Sequence, residues 1–349
     1  MTMAKRIYNY LGEMKIAIEG SKYKLDRYEK NIDEIPSFGD NYDAIIKIED
    51  GDISEIIKNK KYPYLWSKPN FEQLPLQGID YYRYGTKVRT IWMMSQLEYS
   101  VKDYILDDDG ILDIFRRIYC DSNFSRDKTL IHGSLLQLKN KGVLVVGPCR
   151  SGKTTLTLSF LDQKGLELIS EGISLISSKE NKQFRGYYLP RSIYLRFSLI
   201  SDIEKLTPLI GDYDLSESTQ YFDHDAIKRI IQSKAFDVDA GITISRKKFS
   251  ALMKTELKKS SLIDQIIFTK YSEDGNIAII RLNQQNAFKL LRENEFPIRD
   301  TFGRIIHQQN IPPPESSIIS PDWLNKVDCK LVSFDGHKKL TSSILEELL

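Results

Sequence analysis

Gly147-Pro-Cys-Arg-Ser-Gly-Lys-Thr154 is the stretch on which the reading of this chain turns. It satisfies the eight-position phosphate-binding pattern G-x-x-x-x-G-K-[ST] at every fixed position. The preceding Gly142-Val-Leu-Val-Val146 reads as a buried strand. The following Thr155-Leu-Thr-Leu-Ser-Phe-Leu161 reads as a helix closed by Gly165. Strand, glycine-bounded loop and helix is the context in which backbone N–H groups converge on phosphates at a helix N-terminus. Gly147 and Gly152 permit a close approach that a Cβ would obstruct. Gly147, Pro148, Cys149, Arg150, Ser151, Gly152, Lys153, Thr154 and Thr155 are therefore expected to hold a nucleoside triphosphate, ATP, with Mg²⁺. Lys153 would reach the β- and γ-phosphates, and the Thr154 hydroxyl would bind the metal.

Composition narrows the classes around that loop. At 349 residues the chain is long for one compact domain and suggests two. Its 41% apolar and 28% charged residues are those of a globular protein with a sizeable core. A net charge of +2 offers no general electrostatic case for nucleic acid or a membrane surface. Cys120, Cys149 and Cys329 are widely separated, form no metal-ligand pattern and fit a reducing compartment. No apolar segment follows Met1-Thr-Met-Ala-Lys-Arg6, and no apolar run approaches the roughly 18–20 residues of a membrane span. These features predict a cytoplasmic protein.

Residues 1–126 alternate short strand-like runs with polar turns, and they are expected to form a β-rich N-terminal module. Tyr42-Asp-Ala-Ile-Ile-Lys-Ile-Glu49, Tyr81-Tyr-Arg-Tyr84 and Val88-Arg-Thr-Ile-Trp-Met-Met94 carry the β-branched and aromatic enrichment of strands. Ile111-Leu-Asp-Ile-Phe-Arg-Arg-Ile-Tyr119 has helical spacing. Asp107-Asp-Asp-Gly110 before it fits a helix cap better than a metal site. The polar stretch Asp121–Lys128 marks a boundary, and residues 127–349 are expected to form a second, nucleotide-binding domain. There, Gln265-Ile-Ile-Phe-Thr-Lys270 and Ile277-Ala-Ile-Ile-Arg-Leu282 look like adjacent strands joined by Glu-Asp-Gly-Asn. A helical run from about Asn286, the break Pro312-Pro-Pro314, a strand Lys330-Leu-Val-Ser-Phe334 and a short terminal helix complete the pattern. Hairpin-like pairs without crossover helices predict a mixed, largely antiparallel sheet in an α/β fold.

Two further residues stand out as candidates. Leu166-Glu-Leu-Ile169 reads as a short strand ending in Ser170-Glu171-Gly172. If that strand runs parallel to the loop strand, Glu171 reaches the same sheet edge as the loop. There it could hold Mg²⁺ or accept a hydroxyl proton; the plainer alternative is an acidic turn residue. His132 lies in Ile131-His-Gly-Ser134, before Leu135-Leu-Gln-Leu138. A hairpin across Lys139-Asn-Lys-Gly142 would bring His132 to the same end as Gly147. Its plainer alternative is a hydrogen-bonded histidine at a strand start. His224, His307 and His337 stand alone.

Together these residues resemble the HPr kinase-like proteins, which share the nucleotide fold of phosphoenolpyruvate carboxykinase. The order is His-Gly, short hairpin, phosphate loop, helix, strand and acid. Here it is carried by Ile131-His-Gly-Ser-Leu-Leu136, the 143–156 segment and Leu168-Ile-Ser-Glu-Gly-Ile-Ser174. Tyr188-Leu-Pro-Arg-Ser-Ile-Tyr-Leu-Arg196 is also similar to a Pro-Arg-x-Ile-x-Leu-Arg stretch of related enzymes. The family's acid motif is usually a pair of aspartates, the first acting as base and metal partner. Glu171 occupies the first position, and Gly172 replaces the second acid. The glutamate-containing signature that follows the loop in bacterial HPr kinases is not recognisable.

The resemblance spans about residues 130–197 and implies an ATP-dependent phosphotransferase, a divergent HPr-kinase-related enzyme rather than an HPr kinase. Lys153, Glu171 and His132 would be its catalytic residues, and Thr154 and Glu171 its Mg²⁺ partners. Arg150, Arg191 and Arg196 would be available to neutralise developing charge. The implied acceptor is a Ser or Thr hydroxyl of a peptide or protein. A small-molecule kinase and a nucleotide-dependent switch without transfer activity stay open, as does a homo-oligomer. Neither membrane nor nucleic acid is expected as a partner.

Overall fold

The computed structural model describes residues 3–22, 25–26, 41–50, 78–83, 86–95, 98–103, 115, 119, 127–177, 184–190, 193–211, 241–296, 319–335 and 340–349. Asp107–Gly110, Cys120, Arg191, His224, His307, Pro312–Pro314 and His337 lie outside them. The chain divides into two compact units, the first running through Arg126 and the second beginning at Asp127.

Six strands make the sheet of the first unit: β1 Met3–Tyr10, β2 Met14–Ser21, β3 Ala44–Asp50, β4 Gly78–Arg83, β5 Thr86–Ser95 and β6 Glu98–Asp103. They lie in the order β1-β2-β3-β6-β5-β4. The pairs β2–β3 and β3–β6 are parallel. Leu11 and Gly12, both at positive φ, turn the chain between β1 and β2. Alternation sorts the side chains of the hairpin. Ile7, Ala17 and Ile45 pack on one face with Tyr42. Tyr8 and Tyr10 meet Phe115 at 5.7 Å, and Tyr10 meets Tyr119 at 5.4 Å. Phe115 and Tyr119 are both helical, and the other residues of the predicted 111–119 helix lie outside the described residues.

The second unit is a mixed α/β structure. Its strands are β7 Lys128–Ile131, β8 Gly133–Leu138, β9 Lys141–Val146, β10 Glu167–Ser170, β11 Ser174–Ser177, β12 Arg185–Tyr187, β13 Ile193–Arg196, β14 Gly241–Ile244, β15 Ser260–Tyr271, β16 Ala278–Arg281, β17 Glu295–Phe296 and β18 Asp328–Phe334. Its helices include α1 Lys153–Lys164, α2 Phe197–Asp202, α3 Arg246–Met253, α4 Gln284–Glu293 and α5 Ser342–Leu348. Ten strands form one sheet, ordered β10-β8-β9-β15-β12-β11-β7-β17, with β18 also on β15 and β16 on β18. β15 is parallel to both β9 and β18. The remaining pairings of that sheet are antiparallel among the described residues. β13 and β14 pair separately.

The long strand β15 is where the sheet branches. Its first residues, 260–262, pair with β12, and its later residues pair with β9 and β18. The side-chain period of two then sends neighbours to two cores. Val143, Val145 and Ile267 pack with Leu156 and Phe160 of α1. Leu144, Val146, Ile266 and Phe268 pack with Ile176 and Phe184 of the other branch and with Ala287 and Leu291 of α4. Both faces of β9 are therefore buried, which explains its unbroken apolar sequence.

Two expectations need correction. The 265–270 and 277–282 segments are not neighbours: β18 lies between β15 and β16. The six residues 272–277 span the roughly 10 Å across an intervening strand. Inserting β18 there buries Val332 and Phe334. A crossover helix is also present, since α1 carries the chain from β9 to β10 across β8. Among the described residues, no helix is long and apolar enough to cross a membrane.

Candidate functional site

Strand directions bring the singled-out residues to one edge. β10 pairs antiparallel with β8, and β8 antiparallel with β9, so β9 and β10 run the same way. β15 and β18 are parallel to β9, and the carboxyl ends of all four strands share that edge. The Gly147–Thr154 loop leaves β9 there, and Ser170-Glu171-Gly172 leaves β10 there. The carboxyl edge of parallel strands is where open α/β sheets bind ligands.

The loop is shaped by backbone of unusual hand. Arg150 has φ 64° and Gly152 φ 91°. Gly152 caps α1, whose helix runs to Lys164 and ends at Gly165 with φ 62°. Leu156 N–H donates to Gly152 O at 2.9 Å, closing the first helical turn. The amides ahead of Leu156 point out of the N-terminal end of α1, and no acidic residue occupies its first turn. Such an end favours an anion.

Thr269 of β15 links the loop to the sheet. Ser151 Oγ and Thr269 Oγ1 share a hydrogen bond of 2.6 Å, and Thr269 Oγ1 donates to Val146 O at 3.3 Å. The register explains the meeting, because Phe268 lies opposite Val146 and places Thr269 beside Gly147. A Cβ on Gly147 would sit 2.4 Å from Thr269 Oγ1 and 2.6 Å from Ser151 Oγ. Gly147 is thus required by packing against β15. Sequence reasoning missed Thr269, since nothing local to it signals a role at a loop more than a hundred residues away.

Lys153 is buried, and its Nζ donates to Pro148 O at 2.7 Å. Burial pushes its pKa down to about 8, against the pull of Cys149 and Glu171 and with a further push from Arg196. Arg196 therefore belongs to the electrostatic surroundings of Lys153. Arg150 lies in the loop itself, exposed. Thr154 Oγ1 donates to Glu171 Oε1 at 3.0 Å, and Glu171 is only 8% exposed. Gly172 follows with φ 75°, its N–H donating to Ser134 Oγ at 3.2 Å. A second acid at position 172 would carry a side chain in the left-handed region.

His132 lies at the same edge. Gly133 pairs with Val146, so His132 stands one residue beyond the paired strands, level with the start of the loop. Its N–H donates to Asn294 O at 2.8 Å, and its ring lies 5.6 Å from Phe296. Cys149 is exposed and Cys329 buried; neither is in a disulfide.

The oxygen set of Thr154 and Glu171 suits a hard divalent cation such as Mg²⁺, which takes one or two protein oxygens and keeps water or phosphate in its other positions. Among the described residues, no group of three or more His, Cys, Asp or Glu converges as a metal cage. The buried Lys153 ammonium and the helix N-terminus beside that pair fit a polyanion.

No protein-family model matches the chain, and no curated protein matches it. One similar solved structure is the HPr(Ser) kinase/phosphatase from Coxiella burnetii. It is 14% identical, with 44% of this chain and 76% of that chain covered and a TM-score of 0.25. That is a weak fold relationship, and the functional reading rests on the residues of this chain.

Proposed function

We propose that the second unit is an ATP-dependent phosphotransferase that moves the γ-phosphoryl group to a hydroxyl, with Mg²⁺. The observation that carries this reading is the contact of Thr154 with Glu171 at 3.0 Å, beside the buried Lys153 and at the mouth of the Gly147–Thr154 loop. Bound ATP with Mg²⁺ would supply the electrophilic phosphorus and the cation that offsets phosphate charge. Lys153 and the N-terminal amides of α1 would hold the phosphates, and Thr154 and Glu171 the metal. Glu171 would also accept a proton from a hydroxyl brought beside Thr154, with His132 at the same sheet edge assisting. Arg196 adds positive charge to the same side as Lys153.

The favoured acceptor is a Ser or Thr of a peptide or protein, following the resemblance carried by residues 130–197. Gly172 supports a second reading. A site with one carboxylate where related enzymes carry two could bind nucleotide as a switch and transfer nothing.

The test is an acceptor-free ATPase assay followed by transfer of γ-³²P to peptide and metabolite panels. Label on a peptide hydroxyl supports the first reading, and label on a metabolite redirects it to a small-molecule kinase. Tight binding without turnover favours the switch. Lys153→Ala should fold, bind ATP weakly and transfer nothing; unchanged affinity and turnover in this variant would remove the basis of all three.

A further inference from the structure

Glu171 leaves β10 immediately after an irregularity. Leu168 pairs with Leu136 and Ser170 with Leu135, so Ile169 has no partner on β8. Such a bulge bends the strand and re-aims the side chains that follow it. In a regular strand successive carbonyls point to opposite sides, and one donor cannot reach both. Here one donor does. Arg246 Nη2 lies 3.0 Å from Leu168 O and 2.8 Å from Ile169 O, with Lys258 O a third acceptor at 2.8 Å.

We infer that Arg246 is a positioning residue for Glu171: it holds the bulge at Ile169 and so sets the direction in which the carboxylate leaves β10 toward Thr154. The statement about Glu171's chemistry rests on the phosphotransferase reading; the statement about its placement does not.

Arg246 is suited to this by its own restraint. Only 6% of it is exposed, and its guanidinium lies over the Tyr188 ring at 3.7 Å. It is the first residue of α3, whose cap Ser245 accepts from Lys248 N–H at 3.2 Å. The segment after α3 then runs beside β10. Leu168 N–H donates to Glu256 O at 3.0 Å, and Lys258 N–H to Leu168 O at 2.9 Å. The outer edge of β10 is thereby tied to the element that carries Arg246. On the far side, Gly172 N–H is held by Ser134. Glu171 is bracketed, and the upstream bracket is the charged, multi-acceptor one. A lysine keeps the charge but is shorter and lacks the planar guanidinium that lies over the Tyr188 ring while its Nη2 meets all three carbonyls.

The test uses the full chain with Arg246→Lys, Arg246→Met, Glu171→Gln and the double variants of Glu171→Gln. Amide hydrogen exchange is followed by mass spectrometry in peptides covering 166–173 and 141–146, alongside kcat and KM for ATP. In Arg246→Lys, exchange at 170–172 should rise about tenfold while 141–146 stays as in the wild type. With placement of the acid lost, kcat should fall about 10²-fold, since displacement by about 1 Å has that effect, while KM for ATP changes little. In the Glu171→Gln background the same substitution should lower kcat no further. Unchanged exchange at 170–172 in a folded Arg246→Lys protein overturns the inference. So does an equal kcat loss with and without the Glu171 carboxylate. If Arg246→Met does not fold, the lysine variant decides. If the wild type neither binds nor turns over ATP, the phosphotransferase reading fails, and the exchange measurement alone decides whether Arg246 places Glu171.

Discussion

Thr154 and Glu171, seventeen residues apart on opposite ends of a helix–strand excursion, meet through a 3.0 Å hydrogen bond from hydroxyl to carboxylate. The bond closes a βαβ unit on itself: β9 delivers one partner, β10 the other, and α1 spans the distance between. A hydroxyl and a carboxylate so placed form an oxygen pair at the carboxyl edge of the sheet, beside a buried lysine.

Removing the acid should separate binding from chemistry. Glu171→Gln is expected to lower phosphoryl transfer by about 10²–10⁴. ATP affinity should stay close to that of the wild type, because under the proposed function the loop and Lys153 would supply most ground-state contacts. Glu171→Asp retains the charge and shortens the reach to Thr154, so an intermediate rate is expected. Steady-state kinetics with equilibrium binding decide it, and a fully active Gln variant would make Glu171 a turn residue.

The depressed Lys153 pKa would couple the proposed nucleotide binding to protons. Below about pH 8 the folded protein carries Lys153 as ammonium; above it the charge is lost. A bound polyanion stabilises the ammonium, so ATP binding above pH 8 should take up a proton and weaken as pH rises. Calorimetry in buffers of different ionisation enthalpy reads that uptake directly. Stability moves the other way. The unfolded lysine holds its proton up to about 10.5, so between about 8 and 10.5 the unfolded state binds more protons and stability from this group rises with pH. Lys153→Met should abolish the proton uptake.

The two cysteines in described segments should differ in reactivity. Cys149 is exposed in the loop. Cys329 is buried on β18, where burial pushes its pKa up to about 12, with Asp328 adding to the shift. Iodoacetamide near pH 8 should label Cys149 and spare Cys329, since the thiolate is the nucleophile. ATP should slow labelling at Cys149. Peptide mapping of native and denatured samples checks both, and equal labelling of Cys329 in the native protein would contradict the buried strand.

Gly147 tests the seam between the loop and β15. A Cβ there would lie 2.8 Å from Thr269 O, a backbone atom that no rotamer change can move. Gly147→Ala is expected to cost about 1–3 kcal/mol of stability through overpacking. Gly165→Ala meets nothing within 4 Å and is strained only by its φ of 62°, so its cost should be smaller. Denaturant midpoints compare them. A Gly147→Ala protein as stable as the wild type would mean that the loop can part from the sheet.

What the sequence alone determined is local. The Gly147–Thr154 pattern, the apolar run of β9, the cap at Gly165 and the strand ending at Glu171 each depend on residues within a few positions of one another. Short-range sterics and side-chain period suffice to write them. The hairpin that sets His132 level with Gly147 belongs here too, because a two-residue turn leaves its register little choice. Tertiary structure alone decided which distant segments meet. Burial of Val332 and Phe334 inserts β18 between two strands that look like partners in sequence. Register on β15 delivers Thr269 to Ser151 across 118 residues. A buried guanidinium gathers the carbonyls of a bulge 77 residues upstream. Such pairings are selected by the apolar area and the polar groups that the whole fold must bury and satisfy together, and no local window of sequence carries that sum.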